Sequence, residues 1–258
     1  MPALLEMNNV TVIRDGKRIL DQISWTMQSN EHWAVIGKNG AGKSFLLQLL
    51  SANFHPTAGT VRVMGEELGK VNLWDLRTKI GLVSDTLHRR YHEYLPMIDV
   101  VCSGFFASIG LYDAVTAEMR HKAEAILEQT GLAALRDRAF GDLSHGEQRR
   151  TLIARALVFN PRILILDEPC SGLDIPSRES FLGLVQELGE AGHNLVFVTH
   201  HMEEVLPVIS HVLYIKDGLV FAQGPKEKMM QSHVLEPVFD YPIPLVQSEG
   251  RYWPKFFT

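Results

Sequence analysis

Cysteine is nearly absent from this 258-residue chain: its two cysteines, Cys102 and Cys170, lie far apart and in no metal-ligand spacing. That excludes a disulfide framework and leaves no zinc signature, and nothing points away from a reducing compartment. Long apolar runs are lacking as well. The least polar internal segment, Val100 to Tyr112, is closed off by Asp99 and Asp113 and falls short of the ~18 to 20 apolar residues a membrane span needs. The N-terminus carries Glu6, Asn8 and Asn9 in place of the basic-then-apolar order of a signal peptide. If the protein works at a membrane, another chain is expected to do the spanning. Positive charge is not in excess either: the formal net charge is −5, so no overall basic field recruits nucleic acid or anionic lipid. What is present is an ordinary globular composition, 46% hydrophobic, in a chain long enough for one sizeable domain or two small ones.

Along the chain, strand-like and helix-like patterns alternate. Asn8 to Ile13 alternates enough to be a strand, Asp15 starts a turn into a second strand ending near Met27, and "HWAVI" (His32 to Ile36) is a short apolar strand. From Ser44 an apolar helix follows, "GTVRVMGEEL" after Gly59 returns to an edge strand and a turn, and "KIGLVS" (Lys79 to Ser84) is a compact strand of the buried type. Residues 86–159 carry only helical patterns. Ala117 to Thr130 puts Met119, Ala123, Ile126 and Leu127 on one face and stops at Gly131, a suitable C-terminal cap. After Pro161 strands and helices alternate again through "RILILD", Ser177 to Leu188, "NLVFVT" and "HVLYI", with "KDG" turning into "LVFAQG". Short links between alternating strands and helices mean a mainly parallel sheet. From about Pro225 the chain reads as less regular, ending "RYWPKFFT", and no internal repeat is present.

Three glycines fall within six residues in "GKNGAGKS", Gly37 to Ser44, directly after a strand and before a helix. This is the phosphate-binding loop pattern in the context it requires. Gly37, Gly40 and Gly42 let backbone N–H groups turn inward, the helix N-terminus adds partial positive charge, Lys43 neutralises the outer phosphates and Ser44 offers its hydroxyl to Mg²⁺. "ILILDEP" ends a buried strand on two carboxylates. Ligands bind at the carboxyl ends of parallel strands, so Asp167 is expected to reach Mg²⁺ and Glu168 to orient and deprotonate a water; taken alone, such a pair more often begins a solvated loop. "LSHGEQRR" opens a helix, with Ser144 and Glu147 in capping-box spacing. Such a box is usually only a cap, although its N–H groups make a second anion site. In "VTHH" (Val198 to His201), His200 ends the next strand and a neutral imidazole there suits a terminal phosphate; an isolated pair would more often be a loop feature.

In this order, "GKNGAGKS", "LSHGEQ" at 143–148, "ILILDE" at 163–168, "SGLD" at 171–174 and His200 resemble the ATP-binding cassette (ABC) ATPases, over nearly the whole chain from about Glu6 to Gly224. The wording "DQISWTMQSNEHWAVIG", "EQRRTLIARALV" and "VTHHMEEVLP" is most similar to a subgroup associated with molybdate transport or photorepair. The resemblance implies an α/β fold: a P-loop NTPase core with a mainly parallel sheet, N-terminal antiparallel β elements and an inserted all-helical subdomain. The core would comprise 1–85 and 160–224, the helical subdomain 86–159 and a C-terminal tail 225–258. It implies Mg²⁺-dependent ATP hydrolysis in a head-to-tail homodimer, with ATP held between the phosphate loop of one subunit and the signature helix of the other. Nucleotide contacts are then expected from Gly37, Lys38, Asn39, Gly40, Ala41, Gly42, Lys43, Ser44 and Phe45 in cis and from Ser144 and Gly146 in trans. His200 would contact the γ-phosphate, and Asp174 would run along the dimer seam.

Three positions depart from the family. Counting back from "RIL" puts Arg14 where an aromatic residue usually stacks on adenine; a guanidinium plane can also stack on a base. Asp85 stands where a glutamine usually links the metal to the transport partner, and no glutamine occurs between Gln48 and Gln129. Asp85 is therefore expected near Mg²⁺, where its charge would alter turnover or coupling. His145 replaces the usual second-position glycine of the signature. The leading function is a motor subunit for an integral membrane permease, cytoplasmic or on the cytoplasmic face of the inner membrane, with "CSGFFASIGLY" as a docking surface or, more simply, a core helix. The alternative is a soluble ATPase acting on nucleic acid or ribosomes. Arg89, Arg90, Arg136, Arg138, Arg149 and Arg150 are its basic candidates, but scattered positions and acidic net charge disfavour it. A P-loop kinase or GTPase leaves "LSHGEQ" and "SGLD" unexplained.

Overall fold

A computed structural model describes residues 3–84, 88 and 91–255. It divides into two units, Met1–Leu76 with Asn194–Thr258, and Arg77–His193.

In the first unit, β1 (Leu5–Arg14) pairs antiparallel with β2 (Lys17–Met27) and with β4 (Ala58–Val63), and β4 pairs with the two-residue β5 (Glu66–Glu67). Half of β2 alternates buried and exposed residues from Ile23 to Met27, the mark of a strand with one wet face. A second set of strands runs in the order β10-β9-β3-β8. Here β3 (Trp33–Ile36) lies parallel to both β8 (Asn194–Thr199) and β9 (His211–Lys216), and β10 (Leu219–Pro225) returns antiparallel along β9. Every residue of β3 and β8 is buried, which is why both read as unbroken apolar runs and not as alternations. Helix α1 (Lys43–Leu50) follows β3, and its Leu46, Leu47, Leu49 and Leu50 are buried.

The second unit pairs β6 (Ile80–Ser84) with β7 (Ile163–Asp167) in parallel, from Ile80 opposite Ile163 to Ser84 opposite Asp167. After the short α2 (Leu73–Arg77), its helices are α3 (Met97–Cys102), α4 (Ala117–Gln129), α5 (His145–Leu157) and α6 (Ile175–Glu190). Thr116 caps α4, accepting from the Met119 N–H, and Gly131 beyond its end takes φ 71°, as the sequence pattern predicts. Of the run 102–112, Cys102, Ser103, Gly104 and Phe105 are buried, whereas Ala107 and Tyr112 are exposed, so its first four residues belong to the core. A Cβ on Gly104 would lie 2.4 Å from the Arg155 carbonyl oxygen; the missing side chain lets this segment pack onto α5. Burial pushes the Cys102 thiol up to about 11, so it is an inert core residue.

The largest difference from the sequence reading lies beyond Pro225. The structure forms α7 (Lys226–Met229), α8 (Ser232–Phe239) and a hairpin of β11 (Leu245–Ser248) with β12 (Arg251–Pro254). Helix α8 holds Pro237 within eight residues, too short for its periodicity to stand out. The hairpin turns on Glu249 and Gly250, both at positive φ, a weaker signal than Asn-Gly or Asp-Gly.

Candidate functional site

In the first unit the phosphate loop runs from the buried end of β3 into α1. Gly42 is the N-cap residue, in the left-handed region at φ 104°, and as a glycine it brings no side-chain cap to the positive end of the helix dipole. Gly40 is also left-handed, at φ 83°, with nothing near its would-be Cβ. Gly37 is glycine for a different reason: its Cβ would lie 2.3 Å from the Ile215 carbonyl oxygen of β9. Ala41 is fixed by its N–H donating to the Lys38 carbonyl and by its carbonyl accepting from the Gly218 N–H. The turn between β9 and β10 therefore braces the loop from behind.

Lys43 is 5% exposed, and its ammonium donates to the carbonyl oxygens of Gly37 at 2.8 Å and Lys38 at 3.1 Å. The cation is folded back across the loop whose N–H groups it would share an anion with. Asn39 and Ser44 are exposed. Lys38 pairs at 2.8 Å with Asp240, whose other oxygen accepts from Lys216 at 2.6 Å. Those bonds, first from Lys216 and then from Lys38, pull the Asp240 carboxyl down to about 2. No sequence signal links residues 202 positions apart, so Asp240 was missed.

Arg14, at the end of β1, sits with its guanidinium carbon 5.7 Å from the centre of the Phe45 ring, and Phe45 meets Phe54 edge to face at 5.9 Å. The structure brings Arg14 and Phe45 together. At the end of β8, His200 and His201 have ring centres 4.2 Å apart. The turn that carries them is pinned by the buried Thr199 hydroxyl, which donates to Glu204 and accepts from the His201 N–H.

In the second unit, Asp167 ends β7 and Glu168 follows it, both half-buried. Glu168 has φ 44°. A non-glycine residue in the left-handed region is unfavourable and is retained where the surroundings demand it. Ser144 caps α5 through a complete capping box: its hydroxyl accepts from the Glu147 N–H, and the Glu147 carboxylate accepts from the Ser144 N–H at 2.7 Å and hydroxyl at 2.8 Å. His145 is exposed, its ring 6.3 Å from that of His88. Gly146 is buried, and a Cβ there would press on Ser177 at 3.1 Å. Asp174 caps α6 by accepting from the Ser177 N–H at 2.8 Å; the Ser177 side chain and then this N–H lower its carboxyl below the ordinary value. Arg136 is paired with Glu124 and Asp137, and Arg149 is buried. Asp85, Arg89 and Arg90 lie outside the described residues.

The family model described as ABC transporter matches residues 20–171. The chain is 41% identical over 251 residues to the uncharacterized ABC transporter ATP-binding protein YlmA of Bacillus subtilis (strain 168), covering 96% of this chain and 95% of that protein. It is 38% identical over 218 residues to the ABC transporter ATP-binding protein ModF of Escherichia coli (strain K12), covering 82% of this chain and 44% of ModF. Among solved structures, the dimeric ATP-binding cassette MJ0796 bound to ADP and Pi in a post-hydrolysis state matches with TM-score 0.74 and 27% identity, covering 86% of this chain and 98% of that one.

Proposed function

This chain belongs to the ABC transporter ATP-binding family, and from that premise we propose how its own residues bind and hydrolyse ATP and what the hydrolysis drives. It is an ATPase of the ABC type. Two copies close head to tail on ATP and power an integral membrane permease from the cytoplasmic face of the membrane. The observation that carries the reading is the phosphate loop: two left-handed glycines, a helix start without a side-chain cap, and a buried Lys43 held over the loop. Residues 37–45 hold the phosphates, and Arg14 with Phe45 forms the platform for the base.

The hydroxyl of Ser44 and the carboxylate of Asp167 are hard oxygen donors, which suits Mg²⁺, a cation that takes few protein ligands and completes its shell with phosphate and water. They would hold it, and bound there it supplies charge neutralisation for the phosphates. Glu168 acts as the general base toward the attacking water; its left-handed backbone is the strained conformation found where side-chain aim matters more than local stability. His200 contacts the γ-phosphate, and Asp85 takes the place of the linking glutamine. Ser144 and Gly146 meet the ATP of the other copy, with the Glu147 carboxylate fixing Ser144. Residues 86–159 serve as the helical subdomain.

In Glu168→Gln, ATP binds, turnover falls away and the dimer accumulates, measured by light scattering with and without ATP. Wild-type turnover in that variant removes Glu168 as the base. If nucleic acid or ribosomes co-purify with the trapped dimer in place of a membrane protein, the permease reading falls.

A further inference from the structure

The C-terminal elements of the first unit touch both of the turns from that unit to which the ATPase reading gives a role. At one end, Asp240 closes α8 in the left-handed region at φ 52°. One carboxylate oxygen takes Lys216 and the other takes Lys38, the second residue of the phosphate loop. The Lys216 ammonium also donates to the Pro237 carbonyl at 2.6 Å, so the end of α8 is tied to β9 and to the loop together. At the other end, Arg251 of β12 reaches the turn after His200: its Nε donates to the Glu203 carbonyl at 2.7 Å, and its Nη2 donates to the same oxygen. The guanidinium lies 5.0 Å from the Trp253 ring centre, which fixes its plane.

The hairpin packs against this turn through β12, and a cleft of about 450 Å³ beside it is lined by His200, His201, Met202, Phe239, Ile243 and Trp253. Within that contact the doubled hydrogen bond from Arg251 gives a directional link from the hairpin to the turn.

We infer that the segment 232–254 is a positioning element for ATP hydrolysis, with Arg251 holding the His200 turn and Asp240 holding the Lys38 end of the phosphate loop. The inference rests on the ATPase reading and adds two positioning residues to it. Neither touches nucleotide; each acts through the backbone that carries a contacting group. The two links differ in kind. Asp240 is exposed and paired with the cations Lys38 and Lys216, so salt weakens its hold, whereas a carboxyl held at about 2 does not release near neutral pH. Arg251 donates to a carbonyl, a bond that neither pH nor salt removes.

The test compares steady-state ATPase in wild type, Arg251→Ala, Arg251→Lys and Asp240→Asn. Arg251→Ala lowers kcat about tenfold, the scale of a charge-assisted hydrogen bond to a positioned group, with KM for ATP unchanged; Arg251→Lys, which keeps one donor, recovers part of it. Asp240→Asn raises KM about two- to threefold, the scale of an exposed ion pair. Added salt raises KM in both by screening ATP itself, and raises it more in wild type than in Asp240→Asn. If Arg251→Ala does not fold, Arg251→Lys alone decides, and a wild-type kcat in it overturns the role of Arg251. Equal salt responses in wild type and Asp240→Asn overturn the role of Asp240. A wild-type protein without ATPase activity overturns the underlying ATPase reading, whereas an active wild type with unaltered variants overturns the positioning element alone.

Discussion

In the unit that carries the phosphate loop, a methyl group on Gly37 would lie 2.3 Å from the Ile215 carbonyl, and one on Gly42 would lie 2.7 Å from the Leu20 side chain. In the unit that carries Asp167 and Glu168, the chemistry hangs on side chains held by near neighbours in sequence: Ser144 by Glu147, Asp174 by Ser177. The first region is shaped backbone, pressed into form by β2, by β9 and by the Gly218 turn. The second is a strand end and two capped helices. Backbone cannot be deleted, so damage to the loop should cost folding and binding together. Side chains can be exchanged, so the chemistry of the second region should separate from its stability.

The strongest test of that contrast is Glu168→Gln, which should lower kcat by about 100-fold or more, the usual scale for removing a general base, while the melting temperature stays near wild type. Loss of folding along with activity would place Glu168 with the loop glycines. Next comes Gly37→Ala. Its φ is not left-handed, so the cost is steric, about 1 to 3 kcal/mol for overpacking, seen in urea denaturation together with weakened ATP binding. Full stability with lost binding would break the comparison from the other side. Ser144→Ala should cost about 1 kcal/mol, the value of an N-cap, and should also slow turnover; a stability loss without an ATPase loss would leave Ser144 only a cap.

The smallest effect is on acid stability. The Asp240 carboxyl is lower in the folded protein than its ordinary value, because Lys216 and Lys38 donate to its charged form. Its contribution to stability is therefore complete above the ordinary carboxylate range and is lost as pH falls through about 2. The stability difference between wild type and Asp240→Asn should be constant between pH 6 and 8 and should shrink as pH falls below the ordinary carboxylate range. A difference that still changes between pH 6 and 8 would mean that another group carries the effect.

Most of the strand order was legible because each strand and cap is written locally. β3 and β8 are apolar runs since parallel strands are covered on both faces, and α5 begins where Ser144 and Glu147 stand in cap spacing. The phosphate loop was legible for the same reason: its signal is eight consecutive residues. The reason for Gly37 was not, because what it avoids is a carbonyl of β9. The C-terminal hairpin was hidden by a turn of Glu249 and Gly250 and by a helix that contains proline. Asp240 and Arg251 were hidden by distance along the chain.

What the sequence alone determined is therefore a set of local features: a glycine-rich loop between a strand and a helix, carboxylates at a strand end, a helix with a capping box and a histidine after the next strand, in the order of one family. Each depends on residues within a turn or two of one another, where hydrogen-bond geometry and backbone preference act directly. Only the tertiary structure decided what holds those parts in place, namely Ile215 and Gly218 behind the loop, Asp240 on Lys38, Arg251 on the turn of His200, and Arg14 over Phe45. These contacts arise when distant strands and helices pack, and packing is set by the whole fold rather than by any stretch of its sequence.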